Sequence, residues 1–310
     1  LNLIVGGTGF IGGHLAEYFF KEGEISKGIF RKGSHLRIMD QCGIQCIEAD
    51  VMDRHTLHEP LDMVDVVYNL ASPPPGGGAD EYSSFNNVAL NNLLEEANEH
   101  GAKFFVHLSC LDVYGSGGPI DGGTDPKPRD GYQKAKLDAE TIVTEFGRKN
   151  PDMKVRVVRA SRVVGPRDIT LTVPLLKMIE QGKVILPAVG QDSLSFSHPK
   201  DVAQSLLKAA TYAGDWDVCL IKSFDSSVED LSKALSTSTG KKTEIKTAGM
   251  FSGRTQIPQY TIEQLKAKRT IRDQEFWKKI AYTPLYTLEK TAQEVAEWQR
   301  KEPWATKDST

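Results

Sequence analysis

Apolar positions in the first half of the chain fall into two alternating rhythms. Short apolar runs at residues 2–5, 27–30, 43–48, 64–70, 103–108 and 154–159 read as strands. Between them, apolar residues spaced three and four apart predict helices at 12–21, 34–40, 54–59, 82–99 and 131–148. Strands that alternate with helices make a parallel sheet joined by crossover helices. Several of these strands are apolar throughout, as expected when helices cover both faces of the sheet. The pattern predicts an α/β chain built on a doubly wound parallel sheet.

After Pro166 the rhythm loosens. Residues 170–181 read as a helix, 196–212 as a strand end followed by a helix, and 217–221 as a strand. From Ser227 onward the pattern is mostly helical, with a charged end at 301–310 expected to fray. Two segments break the alternation: residues 72–78, rich in Pro and Gly, and 114–130, rich in Gly, Pro and Asp. Both follow strands, at the carboxyl ends where open α/β sheets bind ligands.

Composition narrows the function. The 310 residues carry 38 Lys and Arg against 41 Asp and Glu, a formal charge of −3, so no electrostatic case exists for nucleic acid or an anionic membrane. No apolar run approaches the ~20 residues of a membrane helix. The chain opens on a strand without a basic leader, which points to a cytoplasmic protein. Cys42, Cys46, Cys110 and Cys219 include no C-x-x-C pair. No metal site is expected, and free buried thiols fit a reducing compartment.

The chemistry begins at Gly6-Gly7-Thr8-Gly9-Phe10-Ile11-Gly12, between the first strand and the first helix. Gly6 allows a tight turn, Gly9 lets the backbone approach a pyrophosphate, and Gly12 lets the helix pack close to the strand. Further on, Tyr132 and Lys136 lie four apart on a helix and share a face. A lysine one turn away favours the phenolate and should lower the tyrosine pKa. Such a tyrosine exchanges a proton with a substrate hydroxyl or carbonyl while hydride moves to or from a nicotinamide.

These motifs recur together with Asn69-Leu70-Ala71, Asn87-Val88, Val113-Tyr114-Gly115 and Arg159 with Val164-Gly165-Pro166. In that order and spacing the chain resembles the extended short-chain dehydrogenase/reductases. These are the NAD(P)-dependent epimerase/dehydratase group, with 3β-hydroxysteroid dehydrogenase-like and dihydroflavonol reductase-like branches. Residues 196–203 and 277–284 are similar to two C-terminal elements of that group. The resemblance implies a Rossmann-type domain at 1–165 plus about 196–225. It also implies a smaller, mostly helical substrate lobe at about 166–195 plus 226–310. The implied activity is NAD(P)(H)-dependent oxidoreduction of a secondary alcohol or ketone in a small molecule. Tyr132 would be the acid/base, and Lys136 would hold the nicotinamide ribose. Homodimers would form through the helices at 82–99 and 131–148.

Cofactor choice turns on the end of the second strand. Gly28-Ile29-Phe30-Arg31-Lys32 offers no acid for ribose hydroxyls, while Arg31 and Lys32 could pair with a 2′-phosphate, which predicts NADP with NAD as the alternative. The resemblance places Asp50 and Val51 at the adenine and Leu70, Ala71 and Ser72 along the cofactor, beside Gly6, Gly9, Phe10, Ile11 and Gly12. Where the family has a catalytic serine or threonine, this chain has Cys110, preceded by Ser109. Where the family has a diphosphate-contacting asparagine, it has Arg162, which weakens a sugar-nucleotide substrate and leaves a different anion contact open. His107 and His198 are expected to be structural. Two alternatives stay open: a nucleotide-sugar epimerase or dehydratase with a recycled cofactor, and a cofactor-binding structural or regulatory protein with little turnover.

Overall fold

The computed structural model describes residues 1–215, 218–247, 255–272 and 275–302. Six strands alternate with helices: β1 (Asn2–Val5), β2 (Ser26–Phe30), β3 (Gln45–Glu48), β4 (Val66–Asn69), β5 (Phe104–Cys110) and β6 (Lys154–Ala160). They are followed by β7 (Arg162–Val163), β8 (Lys183–Leu186), β9 (Leu194–Ser197), β10 (Cys219–Ile221), β11 (Phe224–Ser226) and β12 (Glu244–Thr247). The main sheet has seven parallel strands in the order β10-β6-β5-β4-β1-β2-β3. The order reverses between β1 and β4. Both strands open their carboxyl ends toward the glycine loop and the segment after Asn69, where ligands of doubly wound folds bind.

Each face of the sheet buries its own core. One face packs Ile4, Tyr68, Val106 and Val158 against Leu15 and Phe19 of the helix Phe10–Glu22 and against Val202 and Leu206 of the helix Pro199–Thr211. The other packs Leu3, Val5, Val67 and Phe105 against Leu90, Leu93 and Leu94, and against Ala139 and Val143 of the helix Gly131–Lys149. A third core gathers Leu171, Leu175, Leu186, Phe196, Leu231, Leu235 and Val295. It comes from segments outside the main sheet, and β9 contributes Leu194 and Phe196 to it.

The later segments are mostly helical, with short strands added to the expected helices. Small sheets form there: β11-β9-β7, and β8 paired with β12 in parallel. Strands of two to four residues carry too few residues to show a clear period, which is why the pattern of the sequence does not announce them. The expected helix at 82–99 is a helical run from Ala79 to Glu99 with a π-turn at Phe85–Leu90. That wider turn carries Asn86, whose Nδ2 donates to the Ala135 carbonyl at 2.8 Å and ties the run to the helix bearing Tyr132. The expected helix at 54–59 is a 3₁₀ turn, Arg54–Leu57, leading into a short helix, His58–Leu61. Of the strand expected at 217–221, Asp217 lies outside the described residues, as does 303–310 of the charged end. All four cysteines are free, and only Cys219 is fully buried.

Candidate active site

Two cavities lie at the carboxyl edge of the sheet. The outer one, about 490 Å³, is lined by Gly6, Gly9, Arg31, Asp50, Val51, Leu70, Ala71 and Ser72. Gly6 sits at φ +86°, and a Cβ there would lie 2.9 Å from the Ala71 nitrogen. A Cβ on Gly12 would lie 2.1 Å from the Gly6 carbonyl oxygen, so the helix can seat against the turn only as glycine. Gly9 is the N-cap of the helix Phe10–Glu22; it supplies no side-chain cap, and no acid occupies the first turn. Free N–H groups and the positive end of the helix dipole therefore face the cleft, a fit for a pyrophosphate. Asn69 fixes the opposite wall: its Oδ1 accepts from the Ala71 nitrogen at 3.2 Å and its Nδ2 donates to His107 Nδ1 at 3.1 Å.

Arg31 lines this cleft and has no acidic partner among the described residues, whereas Lys32 stays off the lining. Asp50 lies on the wall, with Oδ1 accepting from the Met52 nitrogen at 2.9 Å. Asn92 holds the Val51 carbonyl from the next helix at 3.0 Å. Phe10 and Ile11, grouped with the cofactor residues by resemblance, line the inner cavity instead.

The inner cavity, about 240 Å³, holds the acid/base candidates. Ser109, Cys110, Tyr132 and Arg162 all line it. Tyr132 is placed by the first turn of the helix Gly131–Lys149, whose N-cap Asp130 accepts from the Gln133 nitrogen at 2.8 Å. The Cys110 thiol lies within hydrogen-bonding reach of the Tyr132 hydroxyl. The Tyr82 and Tyr260 rings meet the Tyr132 ring edge-on, with centroids at 6.1 and 5.8 Å. Lys136 is buried one turn on, and its Nζ donates to the Leu108 carbonyl at 3.2 Å. Ser109 is buried too, and its Oγ finds no hydrogen-bond partner among the described residues.

The electrostatics correct one expectation. Burial pushes the Tyr132 phenol well above its ordinary pKa, and Cys110, Tyr260 and Asp112 push it the same way. Lys136 was expected to lower it, but its ammonium is engaged at the Leu108 carbonyl and does not overcome the loss of water around the ring. Burial and the Asp112 carboxylate also push the Cys110 thiol up, to about 12, against smaller opposing effects from Lys136 and Arg269. Both groups are protonated at neutral pH.

Asp112, Tyr260, Gln264 and Arg269 complete the cavity. Asp112 takes a hydrogen bond from Gln264 Nε2 at 2.7 Å, pairs with Arg269 Nη1, and faces Cys110 Sγ at 3.5 Å. Arg269 Nε also donates to the Gly115 carbonyl at 2.8 Å. Arg162 pairs with Gln264 and Thr170 through its two terminal nitrogens, while its buried Nε has no partner among the described residues. None of these four residues was legible as a site residue, because three come from far along the chain and carry no local motif. His107 and His198 lie outside both linings. Burial holds the two imidazoles well below the usual histidine pKa. His198 also caps the helix Pro199–Thr211 and stacks on Tyr286 at 3.6 Å between centroids.

A strand-order reversal with a glycine cradle at its carboxyl end defines a Rossmann-type dinucleotide-binding fold. The chain belongs to the NAD dependent epimerase/dehydratase family, which it matches over residues 2–218. Among curated proteins, it is 25% identical over 217 residues to the decarboxylating sterol-4-alpha-carboxylate 3-dehydrogenase of Bos taurus, covering 67% of this chain and 60% of that protein. It is 28% identical over 204 residues to UDP-arabinose 4-epimerase 1 of Arabidopsis thaliana, covering 59% and 48%. The matches thus span about half to three fifths of the curated relatives' length. Among solved structures, the UDP-glucose 4-epimerase of Thermotoga maritima superposes with a TM-score of 0.80 at 21% identity, covering 98% of this chain and 100% of that one. The UDP-glucuronic acid 4-epimerase of Bacillus cereus, solved with NAD, gives 0.79 at 21% identity, covering 97% and 98%. No helix among the described residues is long and apolar enough to cross a membrane.

Proposed function

We propose that this chain is an oxidoreductase that uses NADP(H) in preference to NAD(H) and acts on a secondary alcohol or ketone in a small molecule bearing an anionic group. The observation that carries this reading is the inner cavity. Tyr132 and Cys110 meet at one wall, and the Arg162 guanidinium, 3.8 Å from the Asp168 carboxylate and with a buried Nε unpartnered among the described residues, lines another. A bound nicotinamide would supply or accept the hydride. Tyr132 gives its phenolic proton to the carbonyl oxygen in reduction and takes the hydroxyl proton in oxidation. Cys110 contacts the same oxygen as a weak donor. Lys136 has hydrogens beyond the one on Leu108 and places them at the cofactor ribose. Gly6, Gly9, Gly12, Asp50, Val51, Leu70, Ala71 and Ser72 hold the rest of the cofactor, and Arg31 takes its 2′-phosphate.

Arg162 recognises the anion by charge-assisted hydrogen bonding. A carboxylate fits this role, and one relative's name specifies a carboxylated sterol. About 240 Å³ is less than the ~300–1,000 Å³ of ordinary small-molecule sites, which favours a compact hydroxy acid over a sterol or a nucleotide sugar. The third core and the paired β8 and β12 support a substrate lobe at about 166–195 plus 226–310. Four free thiols fit a cytoplasmic setting, and the exposed Val88 fits a homodimer through the helical run Ala79 to Glu99.

The test is a panel of 2- and 3-hydroxy acids and their neutral amides, read as reduced nicotinamide formed in stoichiometry with product. Wild type should prefer the acids. Arg162→Met should raise KM for the acids by roughly ten- to a hundredfold, the scale of one charge-assisted bond, with kcat nearly unchanged. Equal turnover of acids and amides would remove the anion from the reading. Product formed without release of reduced cofactor would favour an epimerase or dehydratase.

A further inference from the structure

Glu96 is buried in the helix Asn91–Glu99, with its side chain 1% exposed. Its Oε1 is held by Arg54 Nε. Its Oε2 is wholly buried and takes no hydrogen bond of acceptable geometry among the described residues. Two imidazoles nevertheless converge on it. His58 Nδ1 lies 3.0 Å away, from the start of the helix His58–Leu61, and His100 Nδ1 lies 3.6 Å away, one turn along from Glu96. Two imidazole nitrogens so close to a buried oxygen that takes no aligned hydrogen bond put three possible ligand atoms around one point.

From this geometry we propose that His58, Glu96 and His100 form a binding site for a divalent cation of the zinc class. Metal–nitrogen and metal–oxygen bonds of ~2.0–2.2 Å in a tetrahedron separate neighbouring ligand atoms by ~3.3–3.5 Å, and the two observed spacings bracket that value. The three ligand atoms lie within 4.8 Å of one another. Two nitrogens and one carboxylate oxygen suit zinc and its borderline neighbours and are a poor set for magnesium or calcium, which prefer oxygen. Arg54 acts as the outer-shell group that orients the carboxylate, leaving Oε2 free for the metal. It also pairs with Glu95 at 2.6 Å and Glu99 at 2.6 Å, so three carboxylates surround one guanidinium and the four groups carry a formal charge of −2. A divalent cation neutralises that charge.

His100 Nδ1 also faces the Glu96 carbonyl at 2.9 Å. Metal loading moves its ring proton to Nε2 and exchanges that contact for a metal bond. His58 is exposed, so the fourth position is open to water. None of the three residues lines either cavity, which makes this a stabilising site and separates it from the redox chemistry. It would staple the segment after Asp50–Met52 to the helix Asn91–Glu99.

The test uses the full chain, freed of any purification tag, titrated calorimetrically with Zn²⁺ and melted with and without it. Wild type should bind one Zn²⁺ and gain in Tm, and Co²⁺ should give the visible d–d bands of a tetrahedral site. His58→Ala and His100→Ala should each weaken Zn²⁺ at least tenfold, and the double variant should show no Tm gain. Glu96→Gln should behave likewise, but it also releases Arg54, so the two histidine variants carry the decision. An affinity unchanged in the double histidine variant would overturn the site. So would the absence of saturable binding by wild type, or an equal Tm gain with Mg²⁺.

Discussion

Asp112 and Arg269 stand 157 residues apart in sequence and form a buried ion pair at the wall of the inner cavity. Asp112 lies in the 3₁₀ turn Leu111–Tyr114 after β5, and Arg269 lies beyond the helix Gln259–Lys266. Each has further partners: Gln264 and Cys110 for Asp112, the Gly115 carbonyl for Arg269. The pair therefore fastens the later segments onto the edge of the main sheet where Tyr132 sits.

Removing one member should strand the other. Arg269→Met leaves a carboxylate buried without its counter-charge and should cost about 3–5 kcal/mol in urea unfolding. Asp112→Asn keeps the shape and removes the charge. The double variant Asp112→Asn/Arg269→Met should lose less than the sum of the two single losses, because no lone charge is left behind. Strictly additive losses would show that the two groups do not stabilise each other.

Tyr132 should set opposite pH profiles for the two directions of the reaction. Its phenol is held above the ordinary tyrosine pKa, so the protonated form prevails at neutral pH. Reduction needs that proton, and its rate should stay level from about pH 6 to 9. Oxidation needs the phenolate, so its rate should climb with pH across the alkaline range. Tyr132→Phe should lower turnover by ~10²–10⁴ in both directions while cofactor affinity stays near wild type. Lys136→Ala should weaken cofactor binding as well. An oxidation rate flat from about pH 7 to 10 would assign the proton to another group.

The fold was legible because its signals are local and repeated. Six apolar runs between helix-period segments, and a glycine cradle needed by sterics at Gly6 and Gly12, point to one architecture. Tyr132, Cys110 and Arg162 were also legible, since each stands at a fixed offset within a motif. The rest of the cavity was not. Asp112 and Arg269 become partners only through the tertiary fold, and a three-residue strand such as β11 is too short to carry a period. The pKa of Tyr132 was misjudged for a related reason. Sequence spacing shows that a lysine is one turn away, but it does not show that the ring is buried or that the ammonium is engaged at the Leu108 carbonyl.

Arg31 should decide between the two nicotinamide cofactors. It is exposed on the cleft wall and has no acidic partner among the described residues, so its guanidinium is free to take a phosphate. A charge-assisted hydrogen bond contributes about 1.5–3 kcal/mol, or roughly ten- to a hundredfold in affinity. Calorimetry should find NADPH bound more tightly than NADH by that factor, and Arg31→Ala should bring the two together by weakening NADPH alone. Lys32→Ala should change little, since Lys32 does not line the cleft. Equal affinities in the wild type would leave NAD as the cofactor.

Cys110 lines the inner cavity beside Tyr132, and its chemistry should be that of a passive neighbour. With the thiol pushed up to about 12 by burial and Asp112, it stays protonated through the neutral range. Alkylation should therefore be slow compared with the partly exposed Cys42 and Cys46, and slower still with cofactor bound. Cys110→Ser puts a stronger donor beside the Tyr132 hydroxyl. One neutral hydrogen bond contributes about 0.5–1.5 kcal/mol, so turnover should hold or rise by up to about tenfold. Cys110→Ala deletes a weak contact and should cost no more than a few-fold. The surrounding charges favour this outcome, because Asp112 faces the sulfur at 3.5 Å and opposes ionisation. A nucleophilic thiolate would need the reverse, a cation dominating at the sulfur. Lys136 and Arg269 lower the thiol pKa, yet burial and Asp112 outweigh them. If Cys110→Ser binds cofactor normally and turns nothing over, that balance is reversed in the working enzyme and the sulfur takes part in the chemistry.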